Sequence, residues 1–224
     1  MDQGNTAFVL ISAALVLLMT PGLAFFYGGM VKAKSVVSMM MLSFGSLGLI
    51  GVLWVLYGYA VAFSNGTIDG KANPNFFGID GIFGIDTSFI GLTAQVADAT
   101  APTGAYPSLA FVAFQATFAI ITVALISGAI ADRAKFGAWM VFAGVWATLV
   151  YFPVANWVFN FTLADGKIVD GGWIVKDIGA IDFAGGTAVH INAGAAGLAL
   201  AIVLGKRFGF SKGIMQPHNV PLTL

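Results

Sequence analysis

The side chain with the clearest chemical potential is His190, which lies in an apolar run between Asp182 and the Lys206–Arg207 pair. A run of this length can span a bilayer, which takes roughly 20 helical residues. A neutral imidazole has one donor and one acceptor nitrogen, so it can relay a proton or hydrogen-bond a small polar guest. An ionisable group inside a membrane is costly and marks a candidate functional site. The alternative is a histidine satisfied by a carbonyl across a helix interface.

The residues that share a helical face with His190 are mostly small, and such residues let helix backbones approach closely. We therefore expect this face to pack on other helices rather than on lipid. The residues are Gly186, Thr187, Ala193, Gly194, Gly197 and Ala201.

Asp182 precedes His190 by just over two helical turns, or about 12 Å along a helix axis. It stands where the helix would start, so its spacing favours an N-cap that satisfies the first free N–H groups. The functional alternative is a carboxylate near a pore mouth that stabilises a cation without contacting it.

A second pattern is aromatic. Phe111, Phe114 and Phe118 recur at helical spacing, and stripes of this kind usually pack in a core. If the protein binds a cation, the faces of these rings could instead attract it by cation–π contact. Aromatic rings can also form a hydrophobic gate. Phe159 and Trp157 lie at the end of another apolar run and are candidates for the same cluster.

Composition excludes several function classes. Hydrophobic residues make up 58% of the 224 residues and charged residues only 9%, which indicates an integral membrane protein. The formal net charge is zero, so nothing favours a nucleic-acid partner. The chain has no cysteine and no glutamate, and it shows no nucleophile–base pair, phosphate loop or redox motif. We therefore expect no enzyme activity, no metal site and no cofactor.

The apolar runs predict an all-α polytopic bundle with five transmembrane helices in one membrane domain, residues 1–224. The segment Thr20–Gly22 is expected to break the first helix, because its proline removes an intrahelical hydrogen bond and bends a helix. Trp54, Tyr57 and Tyr59 suggest an aromatic belt at a membrane surface. The five predicted spans are residues 7–31, 35–63, 107–131, 136–159 and 183–205.

The charges between the spans predict the orientation. By the positive-inside rule, the N-terminus and both long loops (65–106 and 160–180) should lie outside a cell membrane. The acidic bias outside could enrich cations near an entrance, or it could merely fix the topology. One side carries Lys32, Lys34, Arg133, Lys135, Lys206, Arg207 and Lys212, with Asp132. The other carries Lys71, Lys167 and Lys176, with Asp2, Asp69, Asp80, Asp86, Asp98, Asp165, Asp170, Asp177 and Asp182.

The segment His218–Pro221 resembles the entry to a sixth helix, so we expect this chain to be part of a longer protein. That expectation rests on the odd number of predicted spans and on the apolar residues that end the chain.

Three stretches resemble the ammonium transporter, methylammonium permease and Rh family. They are MTPGLAFFYGGMV (Met19–Val31), AFQATFAIITVALISGAIADR (Ala113–Arg133) and DFAGGTAVHINAGAAGLAL (Asp182–Leu200). The resemblance implies an eleven-helix channel fold, a trimer and one pore in each subunit. Two five-helix repeats related by inverted symmetry enclose such a pore. This chain would be the first repeat.

The resemblance also implies roles for single residues. Phe114 matches an outer aromatic that recruits ammonium, Phe118 a pore gate, Asp182 a buried aspartate near the recruitment site, and His190 the first of two pore histidines. The family usually has a tryptophan where Phe159 stands, and phenylalanine is the weaker cation–π partner. Trp157, two residues earlier, would substitute only if the helix end differs.

The implied activity is ammonium transport: ammonium is recruited at an aromatic site, deprotonated, and conducted as ammonia past the pore histidine. The implied partners are ammonium or ammonia, the lipid bilayer, two further copies in a homotrimer and, as an open alternative, a cytoplasmic regulatory protein. Two other functions stay open, an ammonium sensor and an inactive structural fragment that lacks half of the pore.

Overall fold

The computed structural model describes residues 2–68, 71–97, 105–164, 167–207, 209–210 and 216–224. Within them, five helices are long and apolar enough to cross a membrane. Each lies within a few residues of a predicted span, so the predicted helical membrane architecture is confirmed. In chain order, the spanning helices are Gln3–Met30, Ala33–Ala62, Ser108–Ile130, Phe136–Phe159 and Gly186–Leu204. Asp69, Asp98, Asp165 and Lys212, which the orientation argument used, lie outside the described residues.

The third spanning helix, the most buried of the five, lies at the centre of the bundle. The first packs against the second and the third, the second also packs against the fourth, and the third also contacts the fifth. The first helix runs without a break through Pro21, because the surrounding residues keep helical geometry there. The expected interruption at this proline is therefore absent.

Tryptophan side chains connect the helices through buried hydrogen bonds. Trp54 Nε1 donates to the carbonyl of Val112 at 3.1 Å, and Trp139 Nε1 donates to the carbonyl of Leu42 at 3.0 Å. Trp54 is only 1% exposed, so it lies inside the bundle and not at a membrane surface as expected. A buried indole N–H without an acceptor would destabilise the fold. Each of these helices must therefore pack where the indole reaches a carbonyl of the neighbouring helix.

Hairpins and short helices form both long loops. β1 (Thr67–Ile68) pairs with β2 (Lys71–Ala72), β3 (Phe76–Ile79) with β4 (Phe83–Asp86), and β5 (Phe161–Ala164) with β6 (Lys167–Gly171), all antiparallel. The paired strands β3 and β4 are short, mostly apolar stretches of the first loop. The short helices outside the spans are Thr87–Leu92, Thr93–Ala97, Trp173–Lys176 and Val220–Thr223.

Contacts at the helix ends place the loops on two sides. The Asp2 amide donates to the carbonyl of Ala105 at 2.8 Å, which holds the N-terminus against the first long loop. At the other end, Arg207 Nη2 donates to Asp132 Oδ2 at 2.7 Å. Although partial burial raises the pKa of Asp132, hydrogen bonds from Ser35 and Arg207 and the nearby charges outweigh it, and the pKa is lowered.

Gly58 is a close-packing point between the second and fourth helices. A Cβ at this position would lie 2.6 Å from Cζ of Phe152. We expect Gly58→Ala to destabilise the chain by about 1–3 kcal/mol, because the ring is enclosed by other core side chains. Gly48→Ala is the matched control, since nothing lies within 4 Å of its added Cβ. Thermal unfolding in detergent measures both variants, and equal unfolding temperatures would contradict this packing.

Candidate functional site

The Asp182 carboxylate organises the start of the fifth spanning helix. Its Oδ2 accepts hydrogen bonds from the amides of Thr187 at 2.8 Å and Ala188 at 2.9 Å. The chain turns at Gly185, between Asp182 and these two amides. The φ of Gly185 is +81°, a value that residues with a Cβ rarely adopt. The carboxylate therefore caps the helix, as its spacing favoured, and it places a negative charge at a helix N-terminus.

His190 lies in a wide π-helical turn, Gly186–Ile191, that opens this helix. Turns of this kind are rare and occur often at functional sites. The turn contacts the third spanning helix and the last turns of the fourth, Phe152–Phe159. These contacts bring the elements that carry Phe114, Phe118, Phe159 and His190 to one region of the bundle.

A cavity of about 330 Å³ joins two of the predicted site residues, Phe118 and His190. Its wall is predominantly apolar, and the imidazole is its one ionisable lining group among the described residues. The first spanning helix supplies Met19, Gly22, Leu23 and Phe26. Sequence reasoning did not assign these residues to the site, and the Pro21-Gly22 pair that interrupts the apolar run was the available signal.

The aromatic residues of the third helix divide between core and cavity. The rings of Phe114 and Phe118 meet edge to face with centroids 4.9 Å apart, and both side chains are partly exposed. Phe111 instead packs edge to face on Phe63 at 5.0 Å, inside the core. Phe118 therefore lines the cavity of His190, and Phe114 contacts Phe118 from one turn earlier on the same helix.

Phe159 and Trp157 point in different directions. The fourth helix stays helical through Phe159, so two residues along it are separated by roughly 200° of rotation. Phe159 packs partly buried against the core, whereas Trp157 contacts Trp173 with ring centroids 5.7 Å apart. The helix end thus lacks the irregularity that Trp157 would need to substitute for Phe159. In the described chain, no ring contact joins Phe159 to Phe114.

The buried side of the fifth helix coincides with the expected one only in part. Ala188, Val189 and Ala193 are buried, whereas His190 and Gly194 are exposed. Ala193 belongs to the face of His190, so the close packing expected of that face is met only in part among the described residues. Among the described elements, the fifth helix packs mainly on the third spanning helix, and its first turn also contacts the end of the fourth.

Comparison with known proteins identifies the family. The model of the Ammonium Transporter Family matches residues 7–224. The chain belongs to the ammonium transporter family. It is 56% identical over 226 aligned residues to an ammonium transporter of Mycobacterium tuberculosis and 45% identical over 223 residues to one of Bacillus subtilis. Both alignments cover 100% of this chain, but only 47% and 48% of the relatives. The chain thus spans about half the length of the curated relatives it matches.

Solved structures agree with this assignment. The crystal structure of Saccharomyces cerevisiae Mep2 superposes with a TM-score of 0.79 at 30% sequence identity, covering 100% of this chain and 46% of Mep2. A structure described as a sensor Amt protein superposes with a TM-score of 0.77 at 24% identity, covering 97% of this chain and 49% of its own. At that identity the second likeness shows the fold alone. The curated relatives are named as transporters, and a transporter is not an enzyme.

Proposed function

We propose that this chain forms one wall of an ammonium-conducting pathway in a cell membrane, with its N-terminus and long loops outside. The observation that carries the proposal is the apolar cavity shared by Phe118 and His190 in a chain of this family. The uncovered histidine face is then the surface that a second set of helices completes. A homotrimer is the assembly we propose, with a cytoplasmic regulatory protein as a further partner.

The proposed sequence of events begins at the aromatic residues. An ammonium ion loses water beside Phe114 and Phe159, where ring faces replace part of its hydration, and the Asp182 charge stabilises it from a distance. An apolar passage opposes an unpaired ion because its desolvation is costly. The ammonium ion therefore transfers one proton to a water molecule at the Phe118 gate, and the resulting ammonia continues to His190.

His190 receives the ammonia in this proposal. A neutral imidazole can accept a hydrogen bond from ammonia or donate one to it, in a cavity that offers no other ionisable partner among the described residues. Potassium has no proton to release and gains no hydrogen bond from an imidazole, so the same passage excludes it.

The recruitment role of Phe159 is testable by adding a stronger aromatic. Functional tests use the extended chain, which we define as this chain continued by the second half of the M. tuberculosis ammonium transporter. We expect Phe159→Trp to lower the KM for ammonium about two- to fivefold, since indole binds cations more strongly than benzene. Initial uptake rates into proteoliposomes measure the KM.

The matched control is Phe161→Trp, which adds the same indole at an exposed strand position two residues later. Its KM should equal that of the unmodified extended chain. If Phe159→Trp left the KM unchanged while protein folding and maximal rate were normal, Phe159 would have no part in recruitment.

A further inference from the structure

A second cavity, of about 590 Å³, lies among the loops and shares no lining residue with the cavity of His190. Three segments converge on it: the turn between β3 and β4, the end of the fourth spanning helix, and the short helix Trp173–Lys176. Hydrogen bonds hold them together, since Trp157 Nε1 donates to the carbonyl of Ile82 and the Trp173 amide donates to the carbonyl of Gly81 at 3.2 Å.

The walls of this cavity combine aromatic rings with carboxylates. The indoles of Trp157 and Trp173 lie 5.7 Å apart at 59° and form a corner, and Trp173 is 36% exposed. Asp80 and Asp177 line the same cavity and are exposed. Asp80 Oδ1 accepts a hydrogen bond from the Gly66 amide at 2.6 Å, which fixes the carboxylate and leaves its charge in place.

The single cation on the described wall is already paired. Lys176 Nζ lies 3.2 Å from Asp170 Oδ1. Although partial burial raises the pKa of Asp170, hydrogen bonds from Thr67, Lys176 and the Gly171 amide outweigh it and the pKa is lowered, so this carboxylate is ionised at neutral pH. The lysine charge is therefore compensated, and Asp80 and Asp177 leave the cavity with net negative charge.

We propose that this cavity binds alkylammonium cations at a site separate from the conduction pathway. Aromatic faces and carboxylates together recognise a cation that also carries apolar surface, as in aromatic cages for quaternary ammonium groups. The volume favours an alkylated cation over ammonium itself, which would leave most of the apolar wall in contact with water. The inference does not depend on transport by this chain.

Tryptophan fluorescence of the purified 224-residue chain in detergent tests this site, with choline as the probe. We expect a saturable change with choline and none with 3,3-dimethylbutan-1-ol, its neutral isostere, at the same concentrations. Equal responses to both compounds would overturn the cation site.

Variants locate the signal. Trp173→Ala should weaken choline binding about two- to fivefold, and Asp177→Asn should weaken it by a similar factor that diminishes in high salt. Trp146→Phe is the matched control, because it removes an indole that lines another surface and should leave the affinity unchanged. The proposal would also be overturned if isothermal titration calorimetry showed an unchanged choline affinity in the Trp157→Ala, Trp173→Ala double variant with a native circular dichroism spectrum.

Discussion

Replacing Asp182 by alanine is expected to abolish ammonium uptake by the extended chain. The substitution removes the acceptor of the Thr187 and Ala188 amides, which costs about 1–2 kcal/mol where no other cap replaces it. The wide turn that carries His190 loses its anchor, and the proposed recruitment region loses its carboxylate. Uptake into proteoliposomes and thermal unfolding in detergent measure the two consequences.

The Asp182→Asn variant separates those consequences. An amide oxygen can still cap the helix, but the negative charge is gone. We expect near-normal unfolding with ammonium uptake still reduced severalfold, because a charge at this site stabilises a desolvating cation. If the asparagine variant transported at the full rate, Asp182 would be a helix cap and its electrostatic role would be wrong.

The second large effect is expected for His190→Ala, which should lower ammonium uptake by about tenfold or more. The imidazole is the hydrogen-bonding group of an otherwise apolar cavity, and leaving a polar guest without a partner costs about 1–3 kcal/mol. Selectivity should change as well, because the variant replaces an imidazole by open apolar space. Parallel ammonium and potassium fluxes in proteoliposomes measure both.

His218→Gln is the matched control for this variant. His218 Nδ1 lies 2.9 Å from the carbonyl of Val31, a contact that a glutamine amide can replace as donor. We expect normal uptake and selectivity from it. An unchanged rate and unchanged selectivity in His190→Ala would contradict the role of the imidazole in handling ammonia or protons.

The membrane architecture was predictable because its signals are local. The length of each apolar run sets the position of each span. The cap by Asp182 was also readable from its place before an apolar run. These features depend on hydrophobic burial and backbone hydrogen bonding, which neighbouring residues in the sequence largely determine.

Features that depend on several elements were not predictable. The sequence gives no sign of the π-helical turn at His190. The Pro21-Gly22 pair marks an irregularity in the first helix, but it does not show that Gly22 and Phe26 line a cavity with His190. Tryptophan is a residue type common at membrane surfaces. Trp54 nevertheless lies in the core, where its indole N–H donates to a carbonyl on another helix. The direction of Trp157 likewise required knowing that the end of the fourth helix, Phe152–Phe159, is regular α-helix.

The most direct test of the account compares ammonium uptake by proteoliposomes that hold the 224-residue chain with uptake by those that hold the extended chain. We predict uptake by the extended chain only, because the exposed face of His190 needs a second wall before an enclosed passage exists. Equal uptake by the 224-residue chain would contradict the account, since it would mean that these five helices enclose a complete pathway without the second half.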